Sequence, residues 1–444
     1  MGRYFGTDGI RGKANVNLDA ERAFKVGRYL AYYYKQKGLG KILIGKDTRL
    51  SSSMFELALA AGATANGADV YLLGYCPTPA VAYLVMHKDF DCGVMISASH
   101  NPYYDNGIKV FNHDGVKLDS SIEGLIEDYI DGKEEITYAT DDKIGHVINY
   151  QTGLELYLDW LEQTYPLNLK GVKLAVDCAN GSASTTAVQL LTRLGATVSV
   201  IHNDPTGVNI NTKCGSTHPE ELQEKVKNGN FDLGLAFDGD ADRLIAVDHT
   251  GELITGDHVI YVCSKYLKAK GELNKNTAVT TVMANLGLFK ALEVAGIDTS
   301  ITAVGDKYVY EDMVKNDYVI GGEQSGHIIF KKHLTTGDGL QTALNLLEIM
   351  VETKKNMTEL CEGLKIYPQL LVNVPVKDKE AALKDEDIQK EVDDVTARLA
   401  GNGRILVRPS GTEPLVRVMV EAENDEICHD CVYQVVRVIE KKFQ

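Results

Sequence analysis

Lys41 to Gly74 reads KILIGKDTRLSSSMFELALAAGATANGADVYLLG. An apolar strand ends in a polar turn, a serine-headed helix follows, and Gly-Ala-Asp leads into a second strand. Strand, turn, helix and strand at this length make a βαβ unit, whose crossover is right-handed and whose sheet is expected to be largely parallel. Ser53 and Glu56 stand at capping-box spacing at the helix start. The pattern recurs in VKLAVDCANGSASTTAVQLLTRLGATVSVIH, Val172 to His202, and more loosely in TAVTTVMANLGLFKALEVAGIDTSITAVG, Thr277 to Gly305. Three copies imply three related α/β domains with mixed sheets.

The remainder differs. After the helix-like TALNLLEIMVETKKNMTELCEGL, Pro368 interrupts and an alternating strand, LLVNVPV, begins. GRILVRPSGTEPLVRVMVEA then gives two strands about a loop before a terminal helix, an α+β pattern without a parallel crossover. The expected domains are 1–150, 151–251, 252–367 and a smaller α+β domain 368–444, arranged around a central cleft. Ile366 to Gln369 is the candidate hinge. A length of 444 residues suits this division, at roughly 100–200 residues per domain.

Composition narrows the function. Apolar residues make up 44% and charged residues 24%, a globular mixture. The formal net charge of −16 argues against nucleic acid and anionic membrane as partners, so any anion must be handled in local basic pockets. No apolar run reaches the roughly 18 residues of a membrane span, and MGRYFGTDGIRG lacks a signal-peptide core, so a cytoplasmic protein is expected. Cys428 and Cys431 form a C-x-x-C on an amphipathic terminal stretch and read as structural.

Four loops carry chemistry. In GVMISASHNPYYDNGIKVF, Gly93 to Phe111, a buried-looking strand runs into Ser97-Ala98-Ser99-His100-Asn101-Pro102, a turn at a strand's carboxyl end. A serine there can be a nucleophile, and His100 could act on it or orient it. In LGLAFDGDADRLIAVD, Asp238, Asp240 and Asp242 crowd three carboxylates that repel one another without a cation between them. An EF-hand fails, because its sixth and twelfth positions fall on Arg243 and His249; Mg²⁺, which takes few protein ligands, is preferred. In IGGEQSGHIIF, alternation is expected to place Glu323, Ser325 and His327 on one side, a set suited to sugar hydroxyls. In VRPSGTEPLVRV, Arg408, Ser410, Thr412 and Arg417 are the parts of a phosphate cradle. FGTDGIRGKA is not a P-loop, since the first required glycine falls on Thr7 and Ala14 follows Lys13, and no G-x-G-x-x-G opens a βαβ helix. Together these loops point to phosphoryl transfer on a phosphorylated polyol, without choosing among kinase, phosphatase and mutase.

SASHNP, DGDADR, GEQSGH and RPSGTEP, in that order over essentially the whole chain, resemble the α-D-phosphohexomutases. FGTDGIRG, ISASHNPYYDNGIK, GGEQSGHIIF followed by TTGDG, and RPSGTEPLVRVMVEA are most similar to the bacterial phosphoglucosamine mutase branch. The resemblance implies that Ser99 is phosphorylated and gives its phosphoryl group to the sugar. It implies that Asp238, Asp240 and Asp242 hold Mg²⁺ with that phosphoserine. Glu323 and Ser325, with His327 beside them, would bind sugar hydroxyls, and Arg408, Ser410, Gly411, Thr412 and Arg417 the phosphate not in transfer. Arg11 and Lys109 match basic catalytic positions, with Arg243 and His100 as further candidates, and Gly305-Asp306-Lys307 matches a specificity region. The implied reaction interconverts glucosamine 6-phosphate and 1-phosphate through glucosamine or glucose 1,6-bisphosphate as intermediate or activator, feeding UDP-N-acetylglucosamine and peptidoglycan synthesis. A phosphosugar partner and a homodimer are expected on the same ground. Glucose or mannose phosphates as substrates, and a non-catalytic phosphosugar-binding regulator, stay open.

Overall fold

The computed structural model describes residues 2–38, 40–410 and 414–443. Chain contacts fall into two compact units, Met1–Met283 with Ile297–Glu362, and Ala284–Gly296 with Gly363–Gln444.

The first unit holds three sheets. The first is built from β1 (Phe5–Gly6), β2 (Gly9–Lys13), β3 (Lys41–Lys46), β4 (Asp69–Tyr75), β5 (Cys92–Ile96), β6 (Asp105–Asn112) and β7 (Val147–Asn149), in the order β1-β2-β6-β5-β3-β4-β7. The second contains β8 (Lys173–Asp177), β9 (Thr197–Ile201), β10 (Leu233–Phe237), β11 (Leu244–Asp248) and β12 (Leu253–Ile254), ordered β12-β11-β10-β8-β9. The third is β14-β13-β15-β16, from β13 (Thr277–Thr281), β14 (Asp298–Thr302), β15 (Ile320–Gly322) and β16 (Ile328–Phe330). The expected βαβ units are the parallel pairs β3/β4, β8/β9 and β13/β14.

The sheets are mixed, as the fold class expected, parallel at the βαβ units and antiparallel at the hairpins beside them, and the reason is loop length. The links from β5 to β6, β10 to β11 and β15 to β16 are too short for a parallel crossover, which needs about a dozen residues, so each pair is antiparallel. The SASHNP, DGDADR and GEQSGH segments are therefore hairpin turns of three similarly built sheets. Glu323, Ser325 and His327 lie in such a turn and not along a strand, which corrects the alternation read from the sequence.

Packing over the first sheet depends on two helices, Ala20–Lys35 and Ser52–Ala65, whose backbones meet. A Cβ on Gly27 would lie 2.2 Å from Leu59 O, and one on Gly62 2.0 Å from Phe24 O, so only glycine admits this approach. Leu30, Phe55, Leu59, Ile42, Ile44 and Val94 share the core beneath, each full burial contributing about 1.5–3 kcal/mol. The Ser53–Glu56 capping box does not form. The helix is already under way at Ser52, and Lys46 at the end of β3 takes both Ser53 Oγ and Glu56 Oε2 as partners for its ammonium.

In the second unit, β17 (Gln369–Pro375), β18 (Arg404–Pro409) and β19 (Leu415–Glu421) form an antiparallel sheet ordered β17-β19-β18, closed by the helix Asp425–Phe443. Cys428 and Cys431 are buried in that helix's apolar face, where the Cys428 thiol meets Pro368 O at 3.1 Å. No helix among the described residues is long and apolar enough to cross a membrane.

Candidate active site

Ser99 ends the turn after β5 with φ 52, in the left-handed region that costs a non-glycine residue about 1–2 kcal/mol. Neighbouring groups hold it there. Ser99 N donates to Ser97 Oγ at 2.9 Å, and Ser97 in turn donates to Asp47 Oδ2 at 2.7 Å. Arg49, fully buried, pairs with Asp47 through Nε at 2.7 Å and spreads its fork over Ser99 O (2.7 Å), Asn101 O (2.9 Å), Asp105 O (3.0 Å) and Pro102 O. Asn211 Nδ2 donates to Ser99 O and Asn101 O at 2.8 and 3.1 Å. Neither Arg49 nor Asn211 stood out in the sequence.

The acidic turn packs directly on the serine turn. Ser99 Oγ donates to Asp238 Oδ2 at 2.7 Å, and a Cβ on Gly239 would lie 2.5 Å from Ser99 O. Asp238, Asp240 and Asp242 are all buried, and one carboxylate oxygen from each can be chosen so that all lie within 4.8 Å of one another. Asp240 Oδ1 and Asp242 Oδ1 are buried without a hydrogen-bond partner. Burial and the other two carboxylates push Asp238 well above the usual carboxylate range. Unpartnered hard oxygens around a repelled carboxylate fit a divalent cation of the Mg²⁺ type.

Cations surround the trio. Lys109, on β6, reaches Asp240 Oδ2 at 2.8 Å, Asp8 Oδ2 at 3.1 Å and Asp242 Oδ2 at 3.3 Å. Burial disfavours its charge, but the three carboxylates outweigh burial and raise it well above an ordinary lysine. Arg11, on β2, pairs with Asp8, and Arg243 Nε lies 3.9 Å from Asp242 Oδ1. Burial would raise Asp8, yet Lys109, Lys117 and Arg11 hold it well below the usual range. His100 Nδ1 lies 3.2 Å from Ser99 Oγ; burial, with Arg243 and Arg11 nearby, lowers its pKa to about 4 and keeps the ring neutral.

The third turn joins this network. His327 Nε2 accepts the Gly337 amide at 2.9 Å, which leaves the ring proton on Nδ1, facing Asp242 Oδ1 at 3.6 Å. Glu323 Oε1 accepts the Gly305 amide at 3.0 Å and so ties this turn to the Gly305-Asp306-Lys307 segment, while Ser325 Oγ is buried without a hydrogen-bond partner. Asp306 pairs with Lys117 at 2.7 Å, and Lys117 with Asp8 Oδ1 at 2.7 Å. Asp8 and Lys117, absent from the sequence reading, thus link the first and third domains' loops.

Models of all four phosphoglucomutase/phosphomannomutase domains match in order: α/β/α domain I over residues 2–137, domain II over 155–251, domain III over 255–367 and the C-terminal domain over 371–438. The chain belongs to this family. It is 53% identical over 443 residues to a phosphoglucosamine mutase of Lachnoclostridium phytofermentans, covering 100% of this chain and 99% of that one. A phosphoglucosamine mutase of Lachnospira eligens is 52% identical with the same coverage. The fold matches a phosphoglucomutase/phosphomannomutase family protein of Burkholderia thailandensis at TM-score 0.81, 24% identity and coverage of 99% and 98%. It also matches Aspergillus fumigatus N-acetylphosphoglucosamine mutase, solved with GlcNAc-6P and magnesium, at TM-score 0.73, 19% identity and coverage of 99% and 95%.

The family's C-terminal domain carries the remaining candidates in the second unit. Arg408 on β18 and Arg417 on β19 are directly paired across the sheet. Burial, together with Arg417, lowers the Arg408 pKa. Ser410 N donates to Leu415 O at 2.9 Å, and Lys379 Nζ, a cation the sequence did not suggest, donates to Ser410 O at 2.7 Å. Gly411 and Thr412 lie outside the described residues.

Proposed function

We propose that this family member interconverts glucosamine 6-phosphate and glucosamine 1-phosphate through a phosphoserine at Ser99 and a 1,6-bisphosphate that turns over between two transfers. The observation that carries the reading is the 2.7 Å contact of Ser99 Oγ with the buried carboxylate trio. The full-length likeness to named phosphoglucosamine mutases supports the choice of sugar.

Phosphoserine 99 gives its phosphoryl group to the free sugar hydroxyl; the P–O bond to Ser99 breaks as the bond to the sugar oxygen forms, and the proton lost by that hydroxyl is restored to the departing Ser99 oxygen. In the return step the Ser99 hydroxyl attacks the other phosphate, and its proton has two acceptors at hand, Asp238 Oδ2 and the neutral His100 Nδ1. Lys109, held as an ammonium by three carboxylates, stabilises charge on the moving phosphoryl group and is not the base; Arg11 acts beside it. Mg²⁺ held by Asp238, Asp240, Asp242 and the phosphoserine would neutralise phosphoryl charge when bound. Glu323, Ser325 and His327 orient the sugar ring, with Arg243 near its phosphate. Arg408, Ser410, Gly411, Thr412 and Arg417 clamp the phosphate that stays, and a clamp of general phosphate donors accepts the 1- or the 6-phosphate.

Coupled assays on glucosamine, glucose and mannose 6-phosphates side by side test the proposal. Highest kcat/KM on the glucosamine compound supports it, and preference for glucose or mannose overturns the sugar assignment. Intact mass carrying one phosphate on Ser99, lost on adding substrate, supports the phosphoenzyme.

A further inference from the structure

We propose that Asp177, His202 and Cys214 form a second metal site, one that takes Zn²⁺ or a similar borderline-soft divalent cation and clips together the loop that supports Ser99. The three residues come from different places in the second sheet's domain: Asp177 ends β8, His202 follows β9, and Cys214 lies beyond the loop those strands leave open. One ligand atom from each lies within 4.8 Å of the others, and Asp177 and Cys214 are fully buried.

His202 supplies an independent observation. Its Nδ1 is buried and approaches Asp177 Oδ2 to 3.0 Å as an ion pair without a well-aligned hydrogen bond. Imidazole nitrogen, carboxylate and thiol converge on one point, and a divalent cation there would replace the ring proton that Asp177 and Glu221 otherwise favour. Nε2 faces Glu221 Oε2 at 3.2 Å, the carboxylate–histidine arrangement that fixes the tautomer of a metal-binding ring. The backbone at His202 has φ 48, a left-handed conformation disfavoured for histidine.

The Asp177 carboxylate is already oriented by second contacts: Oδ1 accepts the Ala179 amide at 2.8 Å and Oδ2 the Gly215 amide at 2.9 Å. Thiolate, imidazole and carboxylate together exclude Mg²⁺ and Ca²⁺ and favour tetrahedral Zn²⁺, with water in the fourth position. Binding forms the metal–sulfur and metal–nitrogen bonds and releases the Cys214 thiol proton and the His202 Nδ1 proton to solvent. Burial pushes the free thiol up to about 12, so without the ion it stays protonated.

The position gives the clip a consequence. Between His202 and Cys214 the chain carries Asn211, whose side chain holds Ser99 O at 2.8 Å. Drawing Asp177, His202 and Cys214 together fixes both ends of that segment. The inference is independent of which sugar the enzyme prefers.

The test uses the full chain, stripped with chelator and titrated with Co²⁺ in excess Mg²⁺, which occupies the aspartate trio. One equivalent of Co²⁺ is expected to produce a near-ultraviolet thiolate-to-cobalt charge-transfer band together with tetrahedral visible bands, both displaced by Zn²⁺. Cys214→Ser should abolish the charge-transfer band, and His202→Gln should weaken Co²⁺ binding at least about tenfold. Asp240→Asn should leave the band intact. No such band in the wild-type chain, or a band unchanged in Cys214→Ser, overturns the site. Should Cys214→Ser not fold, His202→Gln decides alone: unchanged Co²⁺ affinity and spectrum overturn the proposal.

Discussion

Ser99 Oγ and Asp238 Oδ2, separated by 139 positions in sequence, lie 2.7 Å apart. The contact joins the proposed nucleophile to the proposed metal ligands, so removing the hydroxyl should end the chemistry without unfolding the site. Ser99→Ala deletes one donor and leaves Asp238 the Arg243 amide at 3.2 Å. Mutase turnover should fall by on the order of a thousandfold or more, and phosphate should vanish from the intact mass. Normal turnover from this variant would sink the assignment.

Asp240 divides its carboxylate between two tasks: Oδ2 takes Lys109 at 2.8 Å, and Oδ1 is buried without a hydrogen-bond partner. Asp240→Asn keeps the shape and removes one charge of the trio. Lys109 still has Asp8 and Asp242, so folding should survive while Mg²⁺ affinity, read by calorimetry, and turnover fall together. A variant fully active in chelator would refute the metal reading.

Much of this was legible locally. The three βαβ units were visible because periodicity and turn residues act over short range, and the four loops because small, charged and hydroxyl residues cluster at strand ends. What local reading missed was long-range. Arg49 is one of 46 basic residues until the serine turn closes around it and four carbonyls need one fork. KDTR at the end of β3 was the available signal, since it is another polar turn at a strand's carboxyl end. Lys117 and Asp306 find each other across 189 positions, a pairing that no spacing rule encodes. The Glu323–His327 stretch misled because alternation in so short a segment fits a strand and a hairpin turn equally well.

Arg49 and Asn211 should separate stability from rate. Arg49→Lys replaces a planar fork by a point donor and strands buried carbonyls, at a cost of about 3–5 kcal/mol in urea unfolding. Asn211→Ala removes the contacts to Ser99 O and Asn101 O and frees the left-handed serine, so kcat should drop about tenfold with KM nearly unchanged. An unchanged kcat would show that Arg49 and Ser97 fix the turn without Asn211.

Arg417 faces Arg408 across the β18–β19 pair, two cations held side by side in a chain of net charge −16. Such a pair is favourable when an anion bridges it. Arg417→Ala should raise KM for sugar phosphate by about tenfold or more and leave the phosphate content of Ser99 far less affected. Unchanged KM would count against the clamp.

His258 gives a pH prediction away from the chemistry. It stands in the first turn of the helix Gly256–Ala269, where its Nδ1 accepts the Thr255 amide at 3.1 Å. Burial lowers its pKa from 6.5 to about 4, with Asp248 opposing weakly. A base whose folded pKa is depressed binds fewer protons folded than unfolded, so its contribution is fully present above pH 6.5 and is lost as pH falls toward 4. The shift corresponds to roughly 3 kcal/mol. His258→Gln keeps an acceptor for the Thr255 amide and cannot titrate, so its unfolding free energy should fall less steeply than wild type between those limits. Urea denaturation of both proteins at pH 7.5, 5.5 and 4.5 measures the difference, and parallel curves would show that His258 is not the group responsible.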